Sequence, residues 1–248
     1  MPPAIAIQDL VVTFPARGGA VEALRGLSLA VEEGTVFGFL GPNGAGKTTA
    51  IHVLLGFVQP VSGSASVFGE DVSRSIARQR IGYLSELPDT YPFLTGRELL
   101  AMAGRLFGLG GRRLRDRIDQ LLQTVDLARA ADRLIGTYSR GMMQRIGLAQ
   151  SMINDPDLFI LDEPTGGLDP LGRMEVRRII ADLRARGKTV FFSSHELSEV
   201  ELVCDRLAVV AQGRVVAEGR AASLVRPGES LEQYFLRVVR PELSGGNA

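Results

Sequence analysis

Tryptophan is absent from this sequence of 248 residues, cysteine occurs once and histidine twice. A single cysteine cannot close an internal disulfide, which fits a reducing compartment. Cys204 follows the apolar Val203 and reads as a core filler rather than a nucleophile. Net charge is missing too. The 28 basic and 28 acidic residues cancel, so nothing global argues for nucleic acid and no such partner is expected. No apolar run approaches the ~18 residues of a membrane span, so the chain is not expected to cross a bilayer alone. The opening Met1-Pro2-Pro3 lacks a basic stretch followed by an apolar one, so no signal peptide is expected. Lysine is scarce as well: Lys47 and Lys188 stand against 26 arginines. The length suits one large domain, or a core with an insert, and can bury a substantial core. The one dense charge run, Arg112-Arg113-Leu114-Arg115-Asp116-Arg117, reads either as a solvated helix start or as a contact for a phosphate or lipid head.

What is present is most informative at Gly41-Pro42-Asn43-Gly44-Ala45-Gly46-Lys47-Thr48-Thr49, which fits the phosphate-cradling pattern G-x-x-x-x-G-K-[ST]. An apolar run, Val36 to Leu40, leads into it, and a helix-like stretch from Lys47 to Gly56 follows. The glycines let the backbone wrap an anion without Cβ clashes. Loop N–H groups and the positive end of the helix then face the phosphates. Lys47 is placed to reach the β- and γ-phosphates and the Thr48 hydroxyl to ligate Mg²⁺. A lysine kept where nearly every other base is arginine suits a point charge on a flexible stem.

The remaining pattern alternates strands with helices, which argues a parallel α/β sheet. Strands are expected at 4–14, 23–31, 35–40, 64–68, 81–84, 158–161, 189–193 and 207–211, with a turn at Arg17-Gly18-Gly19 and a helix at 171–185. Residues 86–150 change character and read as helices at 96–107, 112–125 and 139–153, an insert into the sheet. After Arg226 one amphipathic stretch, 231–239, precedes a tail expected to fray at Ser244-Gly245-Gly246-Asn247.

A second site element is Leu158-Phe159-Ile160-Leu161-Asp162-Glu163. An apolar strand ending in two acids delivers carboxylates to the edge where α/β sheets gather ligands. Asp162 is the candidate to hold Mg²⁺ or its bound water, and Glu163 the general base for attacking water. His195 ends the strand Val190-Phe191-Phe192-Ser193-Ser194. It reads either as a helix-capping or core histidine, or as a contact to a γ-phosphate that orients Glu163 or the water. His52, inside the helix after the phosphate loop, reads as structural.

Over residues 4 to 220 this order of motifs resembles the nucleotide-binding subunits of ATP-binding-cassette (ABC) transporters. Tyr138-Ser139-Arg140-Gly141-Met142-Met143-Gln144-Arg145 is similar to the family's Leu-Ser-Gly-Gly-Gln signature, and Gly166-Gly167-Leu168-Asp169 to its dimer-contacting loop. His195 matches the switch histidine, and Phe14 takes the place of the aromatic residue that stacks on adenine. The resemblance implies a P-loop NTPase core, a RecA-like parallel sheet with an antiparallel β subdomain, plus an inserted α-helical subdomain. It places the cassette at 1–226, with the core at 1–85 and 151–226, the insert at 86–150 and a tail at 227–248. It further implies an ATPase, with ATP and Mg²⁺, whose signature (Ser139, Arg140, Gly141, Met142) faces the ATP of a second cassette subunit, identical or not. That dimer would sit on integral membrane permease subunits at the cytoplasmic face of the membrane. The phrases around Phe37-Gly38-Phe39-Leu40 and Tyr138 to Met142 look most similar to exporter-type cassettes with a separately encoded permease. Soluble cassette ATPases acting on ribosomes or DNA, and regulatory cassettes with a degenerate site, are the alternatives.

The sequence departs from the family pattern at three positions. Arg140 and Met142 stand where Gly and Gln are common, and Arg140 either adds positive charge near a γ-phosphate or points outward. Glu86 stands where the family has a Gln that touches Mg²⁺ at the junction with the insert; a carboxylate can ligate Mg²⁺ directly. Tyr91-Pro92-Phe93-Leu94, just beyond, either packs internally or lines a groove for a permease helix.

Overall fold

Three stretches, Val36–Leu40, Leu158–Asp162 and Thr189–Ser194, are buried at every residue. Strands with no solvent face belong to a parallel sheet covered on both sides. The computed structural model, which describes residues 2–16, 19–86, 88, 90–226 and 228–244, has that architecture.

The chain opens with β1 (Ile5–Ala16), β2 (Gly19–Val31) and β3 (Val36–Leu40), followed by α1 (Lys47–Leu54). Then come β4 (Ser62–Val67), β5 (Glu70–Asp71), α2 (Ser75–Gln79) and β6 (Ile81–Leu84). Three helices follow, α3 (Gly96–Leu106), α4 (Gly111–Thr124) and α5 (Arg140–Ser151). The chain returns to the sheet with β7 (Leu158–Asp162), α6 (Pro170–Ala185), β8 (Thr189–Ser194), α7 (Leu197–Val203) and β9 (Arg206–Ala211), and finishes with β10 (Arg214–Gly219), α8 (Ala221–Leu224) and α9 (Leu231–Ser244).

Two sheets result. One is antiparallel, in the order β2-β1-β4-β5; the other is six-stranded, in the order β10-β9-β3-β8-β7-β6. Within the second, β9, β3, β8, β7 and β6 run parallel, and only β10 is antiparallel. β3, β8 and β7 are therefore adjacent, and their C-terminal ends open at one edge of the sheet. Phe37, Phe39 and Phe191 stack between the two sheets, with ring centroids 6.0 and 5.1 Å from Phe191. Each buried aromatic side chain of this kind contributes about 1.5–3 kcal/mol.

The helices follow local chemistry. Thr95 and Glu98 form a reciprocal cap on α3: Glu98 N–H donates to Thr95 Oγ1 at 3.2 Å, and Thr95 N–H donates to Glu98 Oε2 at 2.9 Å. α4 buries Leu114, Ile118, Leu121 and Leu122, one stripe at helical spacing. Arg112, Arg113 and Arg115 lie on its exposed side, which both readings of that charge run allow. α3, α4 and α5 share a continuous apolar core with the large sheet. Among the described residues of 86–150 the only β pairing is a single bridge, Thr95 with Leu134. Cys204 packs against this core, and burial pushes its thiol well above the ordinary range.

Several expectations shift. β2 begins at Gly19, not Ala23, because the hairpin pairs Ala16 with Gly19; Arg17 and Gly18 of the expected turn lie outside the described residues. α1 stops at Leu54, ahead of Gly56 in the left-handed region at φ 72°. β5, β10, α2, α7 and α8 were not anticipated. The amphipathic stretch 231–239 extends to Ser244 as α9, docked on the core by Leu231, Tyr234 and Val239. Of the tail expected to fray, 245–248 lie outside the described residues, as does Met1.

Candidate nucleotide site

The loop between β3 and α1 is shaped by close backbone approach. A Cβ on Gly41 would stand 2.4 Å from the Val210 carbonyl oxygen. Gly46 sits at φ 103°, and its Cβ would stand 2.6 Å from the Ala23 carbonyl. Only glycine fits either position. The loop frames a cleft of about 410 Å³ lined by Pro42, Asn43, Gly44, Ala45, Gly46, Lys47, Thr48 and Thr49, with Phe14, Val21, Glu22 and Ala23 on one flank and Glu86, Glu163 and His195 on the other. A larger cavity, of about 730 Å³, lies elsewhere, against Glu32, Arg184, Asp205 and Arg206, where Arg184 pairs with Asp205 and Arg206 with Glu218.

The three strand ends converge on the cleft. The Lys47 ammonium, nearly buried, donates to Gly41 O at 2.7 Å and lies 3.6 Å from Glu163 Oε1. Glu163 Oε2 lies 2.8 Å from His195 Nδ1 and accepts from the His195 N–H at 3.3 Å. The Glu163 backbone is left-handed, φ 48°, a conformation costing a non-glycine residue about 1–2 kcal/mol. Its N–H is held there by Ser193 Oγ at 3.0 Å. The same hydroxyl donates to Asp162 Oδ1 at 2.5 Å. Asp162 is thus buried behind the cleft with one carboxylate oxygen engaged. The Tyr83 hydroxyl nearby is pushed up to about 12, first by burial and then by the Asp162 charge.

Ser139, Arg140, Gly141 and Asp169 are elsewhere. They line a separate cleft of about 360 Å³ with Gly167 and Leu168. Ser139 caps α5, its Oγ accepting from Met142 N–H at 3.3 Å. Asp169 caps α6, accepting from Gly172 N–H at 2.9 Å. Arg140 packs on the Gly167 backbone: a Cβ there would stand 2.4 Å from its Cζ. The guanidinium therefore lies along the 164–169 loop, a contact that neither reading of the sequence named. Met142 is not part of that cleft wall and packs toward the core. Tyr91 and Phe93 are 50% and 69% exposed, so these two rings do not pack internally. They meet each other at 5.8 Å between centroids.

The family model described as ABC transporter matches residues 24–166. This chain belongs to the ABC transporter family. Its relatives include a daunorubicin resistance ATP-binding protein of Streptomyces coeruleorubidus, 48% identical over 204 residues, 82% of this chain and 63% of that one. Another is the Nod factor export ATP-binding protein I of Burkholderia lata, 42% identical over 211 residues, covering 84% and 69% of the two chains. A solved ATP-binding subunit of an ABC transporter superposes with TM-score 0.85 at 28% identity, over 95% of this chain and 99% of that one. The chain spans about three fifths of the length of the first curated relatives it matches. Among the described residues no helix is long and apolar enough to cross a membrane.

Within this family frame the cleft gathers Phe14, the 42–49 loop, Glu86, Glu163 and His195, with Gly41 shaping the loop and Asp162 behind. The structure also adds residues that sequence reasoning missed. Ser193 orders both acids, and Val21, Glu22 and Ala23 complete the flank beside Phe14. Ser193 stands opposite Asp162 in the β7–β8 register, which a strand alignment of the two runs would have exposed.

Proposed function

We propose that this chain is the ATP-binding and ATP-hydrolysing subunit of a membrane transporter of exporter type. The observation that carries the reading is the triad of Lys47, Glu163 and His195 at adjacent strand ends beneath a glycine-shaped loop. The 42–49 loop and Lys47 bind the triphosphate, and Phe14 stacks on the base. Glu163, oriented by His195, takes the proton of a water whose oxygen bonds to the γ-phosphorus as the bond to the β-phosphate oxygen breaks. General-base help of this kind is worth about 10²–10⁴-fold. Among the described residues no three acidic, His or Cys side chains converge as a metal cage. The oxygen donors Thr48, Asp162 and Glu86 fit Mg²⁺, which usually completes its shell with phosphate oxygens and water. An ion held by them would supply positive charge against the phosphate oxygens.

Ser139, Arg140 and Gly141, with Asp169, act in trans on the nucleotide of a second cassette, since their cleft is separate from the one at Lys47; Met142 belongs to the same signature but packs behind it. Closure of the two cassettes makes contacts that exist only with the γ-phosphate present, as a ligand-driven two-state shift requires. Glu86 ties the nucleotide site to the insert 86–150, and Tyr91 and Phe93 present an apolar seat for a permease helix. The complex works at the cytoplasmic face of the membrane. Names of relatives such as Nod factor export support the exporter reading.

The test is a pull-down from native membranes with tagged Glu163→Gln chain held in ATP. Recovery of a polytopic membrane protein in near-equal amount is the expected result. Recovery of ribosomes, nucleic acid or soluble proteins alone would overturn transport while leaving ATP turnover intact.

A further inference from the structure

Between the 164–169 loop and His195 lies a polar connection that the proposed chemistry does not use. Arg173, on α6, donates through Nε to Leu168 O at 3.0 Å. Its Nη1 pairs with Glu196 Oε2. Glu196 directly follows His195, and its N–H donates to Ser194 Oγ at 2.9 Å, which tightens that turn. Glu199, one turn along, is buried with its side chain only 5% exposed; its Oε1 lies 3.0 Å from Arg177 and 3.9 Å from Arg173. Its Oε2 has no hydrogen-bond partner among the described residues. Glu199 is held mainly by Arg177, and its buried charge adds a weaker attraction on Arg173. Arg173 thus bridges the Leu168 carbonyl and the Glu196 carboxylate.

We propose that Arg173 is a positioning residue for ATP hydrolysis, registering the 164–169 loop against the turn that carries His195. The route is continuous: Leu168 carbonyl, Arg173, Glu196, His195, Glu163. Leu171 and Met174 on the same helix are 66% and 54% exposed, so the loop end of α6 presents an apolar face. A second cassette seated there presses on the loop, and Arg173 carries that displacement to the His195–Glu163 pair at 2.8 Å. Hydrolysis then becomes sensitive to dimer closure without any change in the Lys47 loop that binds nucleotide. This inference rests on the proposed role of Glu163.

The experiment measures steady-state ATP turnover and, separately, ATP affinity for wild type, Arg173→Gln, Glu196→Gln, the double variant, Arg173→Lys and Glu163→Gln. Misplacement of a catalytic group by an ångström costs about 10²-fold, so Arg173→Gln and Glu196→Gln should each lower kcat about 10- to 100-fold. ATP affinity should stay within about threefold, which also reports that the fold is intact. The double variant should be no slower than the slower single one, because both break one connection. Arg173→Lys, able to reach Glu196 or Leu168 but not both, should fall between wild type and Arg173→Gln. Unchanged kcat in both single variants, or losses that multiply in the double, would overturn the proposal. Turnover by Glu163→Gln equal to wild type would instead overturn the hydrolytic reading beneath it.

Discussion

Removing one hydroxyl, in Ser193→Ala, should damage both stability and catalysis. Ser193 is fully buried at the end of β8. Its Oγ donates to Asp162 Oδ1 at 2.5 Å and accepts the Glu163 N–H at 3.0 Å. Alanine fits the space but leaves a buried carboxylate oxygen and a buried amide unpaired. Each unsatisfied buried group costs about 1–3 kcal/mol, more when charged. Relaxation of the left-handed Glu163 backbone returns about 1–2 kcal/mol. The net loss is about 3 kcal/mol, or about 6–12 °C in Tm for a chain of this size. Thermal melts followed by circular dichroism measure it directly. Because Glu163 no longer holds its orientation, kcat should fall at least tenfold while ATP affinity changes little. A Tm within about 1 °C of wild type would refute the claim that this hydroxyl holds the two acids. Ser194→Ala is the control: among the described residues the Ser194 hydroxyl bonds within its own turn, to Glu196, and its loss should be nearer 1 kcal/mol.

Other expected outcomes follow from single contacts. Gly41→Ala places a Cβ 2.4 Å from the Val210 carbonyl, so the loop must shift, and equilibrium binding should show ATP affinity lowered at least tenfold. In a spectrophotometric titration Tyr83 should ionise at about 12. Its raised value stabilises the fold below pH ~10, a contribution lost as pH rises from ~10 toward 12; Asp162→Asn should lower the midpoint without restoring it to the free value, because burial is the larger cause. Two hydrogen bonds from Arg237, at 2.8 and 2.9 Å, hold Glu229 down to about 2. That contact supports α9 above pH ~4.5 and is lost as pH falls toward 2, which amide exchange along α9 should detect as growing exposure.

Much of the parallel sheet was legible because its strands are buried on both faces and read as unbroken apolar runs, as at Val36–Leu40 and Leu158–Leu161. The phosphate loop was legible because Gly41 and Gly46 answer steric demands that no other residue meets. β10 was not, since Arg214 and Glu218 interrupt its alternation and its antiparallel edge position needs little burial. α7 was hidden by its short length and by Leu202, an apolar residue that stays exposed. Ser193 escaped notice because serine announces no chemistry until its neighbour across the sheet is known. Arg140 and Arg173 illustrate the same limit, since an arginine reaches far and its target is set by tertiary packing. The left-handed backbone of Glu163 has no sequence signal, because its N–H is held by Ser193 from another strand.

In the proposed function, Lys47, Glu163 and His195 form an ATP-hydrolysing site that a second cassette completes. The most direct measurement is Mg-ATP turnover by purified chain across a range of protein concentrations, with Glu163→Gln assayed alongside for turnover and for dimer formation by sedimentation. Specific activity should rise with concentration, Glu163→Gln should lose about 10²–10⁴-fold in rate, and this variant should sediment as a dimer only with ATP. Concentration-independent turnover, with Glu163→Gln as active as wild type and monomeric in ATP, would contradict it.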